Sequence, residues 1–104
     1  MRTSPQQSYT NLRALTEKWS WIDPRSKQRV TGYVIPANAT DVERVEFYIR
    51  FVTKKGHCDE GRCVTLSVDT VRHQRTVKFV QSGEIRIVND VLVMSVDGVR
   101  IITH

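Results

Sequence analysis

From Glu43 to Thr53 the chain alternates over a long span. Val45, Phe47, Ile49 and Phe51 fall on one side of an extended chain, and Glu46, Tyr48, Arg50 and Val52 on the other. A period of two is that of a β-strand with one buried face. The stretch therefore predicts one long strand, bent as it wraps a barrel, with the four apolar residues looking inward.

The same logic extends along the chain. Arg29–Ile35 is rich in β-branched and aromatic residues and stops at Pro36, so it reads as a strand followed by a loop over Pro36–Asp41. A polar turn at Lys54–Gly61 precedes Cys63–Asp69, where Val64, Leu66 and Val68 share one face and Thr65 and Ser67 the other. Thr76–Val80 predicts a short strand that ends at Gln81-Ser82-Gly83, and Glu84–Val88 predicts another with Ile85 and Ile87 inward. Val91–Val96 and Val99–Thr103 flank Asp97-Gly98, a strong two-residue hairpin signal because both positions tolerate positive φ.

Before Arg29 the period changes. Tyr9, Leu12, Leu15 and Trp19 follow one another at steps of three, three and four, the spacing of one helix face, after a Ser4-Pro5-Gln6-Gln7 start that can cap and open a helix. Trp19-Ser20-Trp21 reads as a short extended piece with both rings on the same side. The expected organisation is an arm over 1–28 and a β domain over 29–104. The expected fold class is all-β with one short N-terminal helix, arranged as a small SH3-like antiparallel barrel, with an OB-type barrel and a compact β-sandwich as alternatives.

Composition narrows this picture. At 104 residues, 39% hydrophobic and 26% charged, the chain suits one globular unit with a modest core. No apolar run approaches the roughly 20 residues that span a bilayer, and the N-terminus carries no hydrophobic segment of the signal-peptide kind. A cytoplasmic location away from membranes is the resulting expectation.

Charge points to partners. Sixteen Lys and Arg against eleven Asp and Glu leave a formal +5. Basic residues near the N-terminus (Arg13, Lys18, Arg25, Lys27 and Arg29), with Arg72 and Arg75, form one candidate set for phosphates. Trp19, Trp21 and Tyr48 are candidates to stack on bases. This defines the leading expectation, a non-enzymatic small-barrel module that contacts nucleic acid with weak sequence specificity. The alternative is a protein-interaction or assembly module, which would use the N-terminal apolar stripe or a strand edge against a partner chain or a second copy. A surface whose charges merely solvate it is the plainest reading of the same residues.

Chemistry adds little. No Gly-x-Ser-x-Gly elbow, phosphate-binding Gly loop, His-Glu-x-x-His helix or dinucleotide fingerprint occurs, so neither an enzyme nor a cofactor is expected. His57, Cys58 and Cys63 could supply three ligands to a metal, or the two cysteines a disulfide across a hairpin end. Two reduced thiols near a turn are the simpler alternative.

Overall fold

The computed structural model describes residues 9–101. Helix α1, Tyr9–Thr16, is followed by strand β1, Trp19–Ile22. The expected apolar stripe divides here. Leu12 is fully buried and Leu15 packs beside it, whereas Trp19 already belongs to the strand. The Ser4–Gln7 start lies outside the described residues. Trp and Ile favour the pleated conformation, and β1 satisfies its backbone on both edges. It runs antiparallel to β2, Arg29–Gly32, with Trp21 opposite Val30, and to β3, Thr40–Arg44, with Trp19 opposite Arg44. This three-stranded sheet joins residues on both sides of position 28. The β1–β2 turn is closed by Asp23, whose carboxylate accepts from the Ser26 amide at 3.4 Å and the Ser26 hydroxyl at 3.0 Å.

The long strand expected over Glu43–Thr53 does not form. The chain leaves the small sheet after Arg44 and enters a second sheet as β4, Phe47–Val52. Val45 marks the switch, and its amide donates to the Lys18 carbonyl at 3.0 Å. Phe47, Ile49 and Phe51 are buried as the alternation predicted, and Val45 is only half-buried. Beyond β4 the strands are β5 (Cys58–Asp69), β6 (Gln74–Phe79), β7 (Ile85–Asn89), β8 (Val93–Val96) and β9 (Val99–Arg100). All pairings are antiparallel, in the order β7-β6-β5-β4-β8-β9.

That order forces the sheet to curl. Laid flat, β7 and β8 would stand four strand spacings apart, roughly 19 Å at ~4.8 Å each. The link from Asn89 to Val93 reaches at most ~14 Å when fully extended. A short 3-10 turn at Asp90–Leu92, capped by the Asn89 side chain accepting from the Val91 amide at 3.1 Å, makes the connection. Strand β5 supplies the bend. Its first half pairs with β4 and its second with β6, and the register shifts between Thr65 and Ser67. The expected closed barrel is nevertheless absent, because no ladder joins the two edge strands among the described residues and the sheet stays open.

Inside the curl lie Phe47, Ile49, Phe51, Cys63, Val77 and Phe79, with Val88, Val93, Val96 and Ile101, and Leu12 of α1 joins them. On β5 and β7 the apolar face is not the buried one, and for Ile85 and Ile87 this overturns the inward expectation. Cys63 and Thr65 are the buried residues of β5, while Leu66 is exposed. Ile85 and Ile87 are 58% and 68% exposed. The register accounts for β7. Ile87 opposes Thr76 and Ile85 opposes Lys78 on the outer face, so the other face of β7 presents Val88 to the core.

Candidate functional site

A buried, densely hydrogen-bonded polar cluster lies inside the molecule. Arg75, from β6, is only 2% exposed at its side chain. It donates to both Asp90 oxygens, at 2.8 and 3.2 Å, to Glu17 at 3.2 Å and to the Thr16 hydroxyl. Thr16 in turn donates to the Leu12 carbonyl, and Thr65 to the Thr16 carbonyl, each at 2.7 Å. Arg44, from β3, donates to the Glu17 carbonyl at 2.8 Å and lies 3.8 Å from the centre of the Trp19 ring, a cation–π distance. Its Nε is buried with no partner among the described residues, and burial is the main cause that lowers its pKa. Glu17 therefore ties both sheets to the segment after the helix.

Several residues of the expected interface lie in or beside this cluster. Arg75 is spent inside the molecule, and Trp21 is buried with the terminus of its ring against Gly32. Trp19 is half-buried beneath Arg44. The two tryptophans serve here as packing anchors, as large side chains do in a small domain. Arg13 pairs with Glu17, Arg72 with Asp69, and Arg29 with Asp41 and Glu43. Lys18 is half-buried, while Arg25 and Lys27 stand exposed in the β1–β2 turn. Tyr48 is exposed on the outer face of β4.

The cysteines do not meet. Cys58 opposes Val52 and Cys63 opposes Phe47, at the two ends of one hairpin. Five residue steps along the strand separate them by roughly 16 Å, and an odd spacing turns their side chains to opposite faces. Cys58 is exposed and Cys63 buried, so neither a disulfide nor a shared metal site with His57 forms. Among the described residues no group of three or more His, Cys, Asp or Glu side chains is placed to hold a metal. Burial, helped by Asp97, pushes the Cys63 thiol up to about 12.

Two concavities flank β4. The larger is a shallow groove of about 700 Å³ on the outer side of β4, β8 and β9. Arg50, Ser95 and Arg100 form one row across its three strands, since Arg50 opposes Ser95 and Ser95 opposes Arg100. Tyr48 and Met94 line the same groove, each 37% exposed. Glu60 organises one wall. It accepts from the Tyr48 hydroxyl, which raises that phenol's pKa above its ordinary value, and it pairs with Arg50 at 3.5 Å. Arg100 has no carboxylate partner among the described residues. Position 100 was missed in the sequence, although the Asp97-Gly98 signal fixes its place. A two-residue loop sets Val96 opposite Val99 and Ser95 opposite Arg100.

The second concavity, of about 310 Å³, opens between the end of β4 and β7. Phe51, Val88 and Leu92 line it with Lys54, Gln74 and Asn89. The curl of the sheet is what brings Lys54 and Gln74 together, because the turns that carry them would stand at opposite ends of a flat meander. Arg86 crosses from β7 to β5 beside this cleft and donates to Asp59 at 2.7 Å. No protein-family model, no curated protein and no solved structure matches this chain, so its function must be read from these surfaces.

Proposed function

We propose that this protein is a non-enzymatic binding module, built as an open SH3-like barrel, that contacts single-stranded nucleic acid along the β4–β8–β9 groove. The observation that carries the reading is the Arg50–Ser95–Arg100 row with Tyr48 beside it. Small barrels hold single strands by joining cations for the backbone to aromatic faces for the bases. Tyr48 offers such a face, held in orientation by Glu60. Glu60 also offsets the charge of Arg50, which leaves Arg100 as the groove's uncompensated cation.

The distribution of charge supports an anionic partner. Every described carboxylate except Asp23 and Asp97 has an ion-pair partner. Arg25, Lys27, Lys54, Lys55, Lys78 and Arg100 are exposed and have no carboxylate partner among the described residues. These six cations lie on turns and strands that solvent reaches, where they raise the local concentration of anions.

Titrating a fluorescent single-stranded oligonucleotide at two salt concentrations tests the reading. Binding should weaken steeply with salt, and Arg100→Ala should reduce the magnitude of the log–log salt slope by about 0.7, the value of one lost phosphate contact on a single strand. Tyr48→Ala should cost about 1–3 kcal/mol. No binding at low salt, or binding indifferent to both substitutions, would refute it.

A further inference from the structure

We infer that β7 is a self-association edge, and that its occupant is the β7 of a second copy paired antiparallel about Ile87. The inference is independent of the groove. It starts from a contrast among the four strand edges. Natural sheets blunt their edges with charge, glycine, proline, bulges or short length. Three edges here do so. β2 ends in Gly32, β3 shifts register against β1 and bends at Asp41, whose φ is 55°, and β9 is two residues long. β7 reads Ile-Arg-Ile-Val-Asn, pairs with β6 alone, and has no glycine, proline or register shift.

Its outward side chains are apolar. Ile85 and Ile87 stand two residues apart on the outer face, 58% and 68% exposed, with Thr76 and Lys78 of β6 between them and Leu66 of β5. An exposed apolar patch at the rim of a sheet marks an interaction surface. The one charge in the strand is cancelled locally. Arg86 donates to Glu84 and to Asp59, each at 2.7 Å. A chain of net +5 therefore meets no free cation from β7 itself when it approaches a copy of itself.

Register selects the pairing. Centred on Ile87, all five residues pair: Ile87 on Ile87, Ile85 on Asn89 and Arg86 on Val88. The four isoleucines then form one stripe across the seam, and cross-strand apolar pairs stabilise such ladders. Centring on Arg86 would set like charges directly opposite, which is unfavourable, and would leave Ile87 facing Ile85 with Asn89 unpaired. The Ile87-centred arrangement is isologous and closes as a dimer.

Sedimentation of the full chain from micromolar to millimolar concentration tests this. The mass should rise from 12.0 kDa toward twice that value. Ile87→Lys should hold it at the monomer mass across the range with an unchanged thermal melt, because the side chain it replaces is mostly solvated. Hydrogen exchange should show the amides of 85–89 gaining protection with concentration in the parent and not in the variant. A monomer throughout the range, or an Ile87→Lys protein that dimerises like the parent, would overturn the proposal.

Discussion

Cys58 and Cys63 differ by position on one strand more than by chemistry. The first lies at the solvent-facing end of β5, and the second is buried in the core opposite Phe47. Nucleophilic attack needs the thiolate, and a thiol pushed up to about 12 holds almost none at neutral pH. Native protein should therefore react with a disulfide reagent at one cysteine only, and at both after denaturation. Counting released thiolate with and without denaturant checks this, and Cys58→Ser should abolish the native reaction. The sign of the pH effect follows from the same shift. The unfolded thiol ionises near 9.0 and the folded one near 12. Its contribution to stability is full below 9 and is lost as pH rises toward 12.

At the scale of elements, β5 sets the shape. It is twelve residues long, it changes partners at Cys63, and Gly61 lies where its first half passes the ring of Phe79. A Cβ at position 61 would stand 2.8 Å from two carbons of that ring. Phe79 cannot easily yield, because it is buried and stacked on Phe51 at 6.4 Å between centroids. Gly61→Ala is expected to cost about 1–3 kcal/mol by overpacking, read as a lower midpoint in urea. The alternating pattern revealed strands of this kind, because period two is a local property. It did not reveal the break at Val45–Glu46. Nothing in the alternation from Glu43 to Thr53 distinguishes one strand from two that share a phase and belong to different sheets. The outward turn of Ile85 and Ile87 was hidden for a related reason. Apolar character implies burial on average, and an edge strand with a partner outside the chain is the exception to that average.

Across the whole molecule, the Arg75 cluster connects what the sheets leave separate. It draws on β6, the 3-10 turn and the segment after α1, and the Arg44 side chain, donating to the Glu17 carbonyl, adds β3. Removing one partner of a buried ion pair strands the other's charge. Arg75→Ala should therefore destabilise by about 3–5 kcal/mol. Arg29→Ala, which breaks exposed pairs with Asp41 and Glu43, should cost at most about 1 kcal/mol. Equilibrium unfolding of the two variants makes the comparison. Equal losses would refute the assignment of Arg75 as the internal tie. Of the expected nucleic-acid contacts, Tyr48 lies in the candidate groove, and Arg100, which lines the same groove, emerged only from the ladder of β8 and β9.

The amino-acid sequence alone determined that this protein is mainly β, with one short helix near its start, a tight Asp97-Gly98 hairpin and an inward row of Phe47, Ile49 and Phe51. Those features follow from neighbouring residues: side-chain period, branching at Cβ, and tolerance of positive φ. The tertiary structure decided that the sheet curls without closing, that Arg75 and Trp21 are interior while Ile85 and Ile87 are not, and that Arg50 and Arg100 share a groove. These outcomes depend on which strands become neighbours, and that is set by the short Asn89–Val93 link and the bend in β5, both of which act only once the chain has folded.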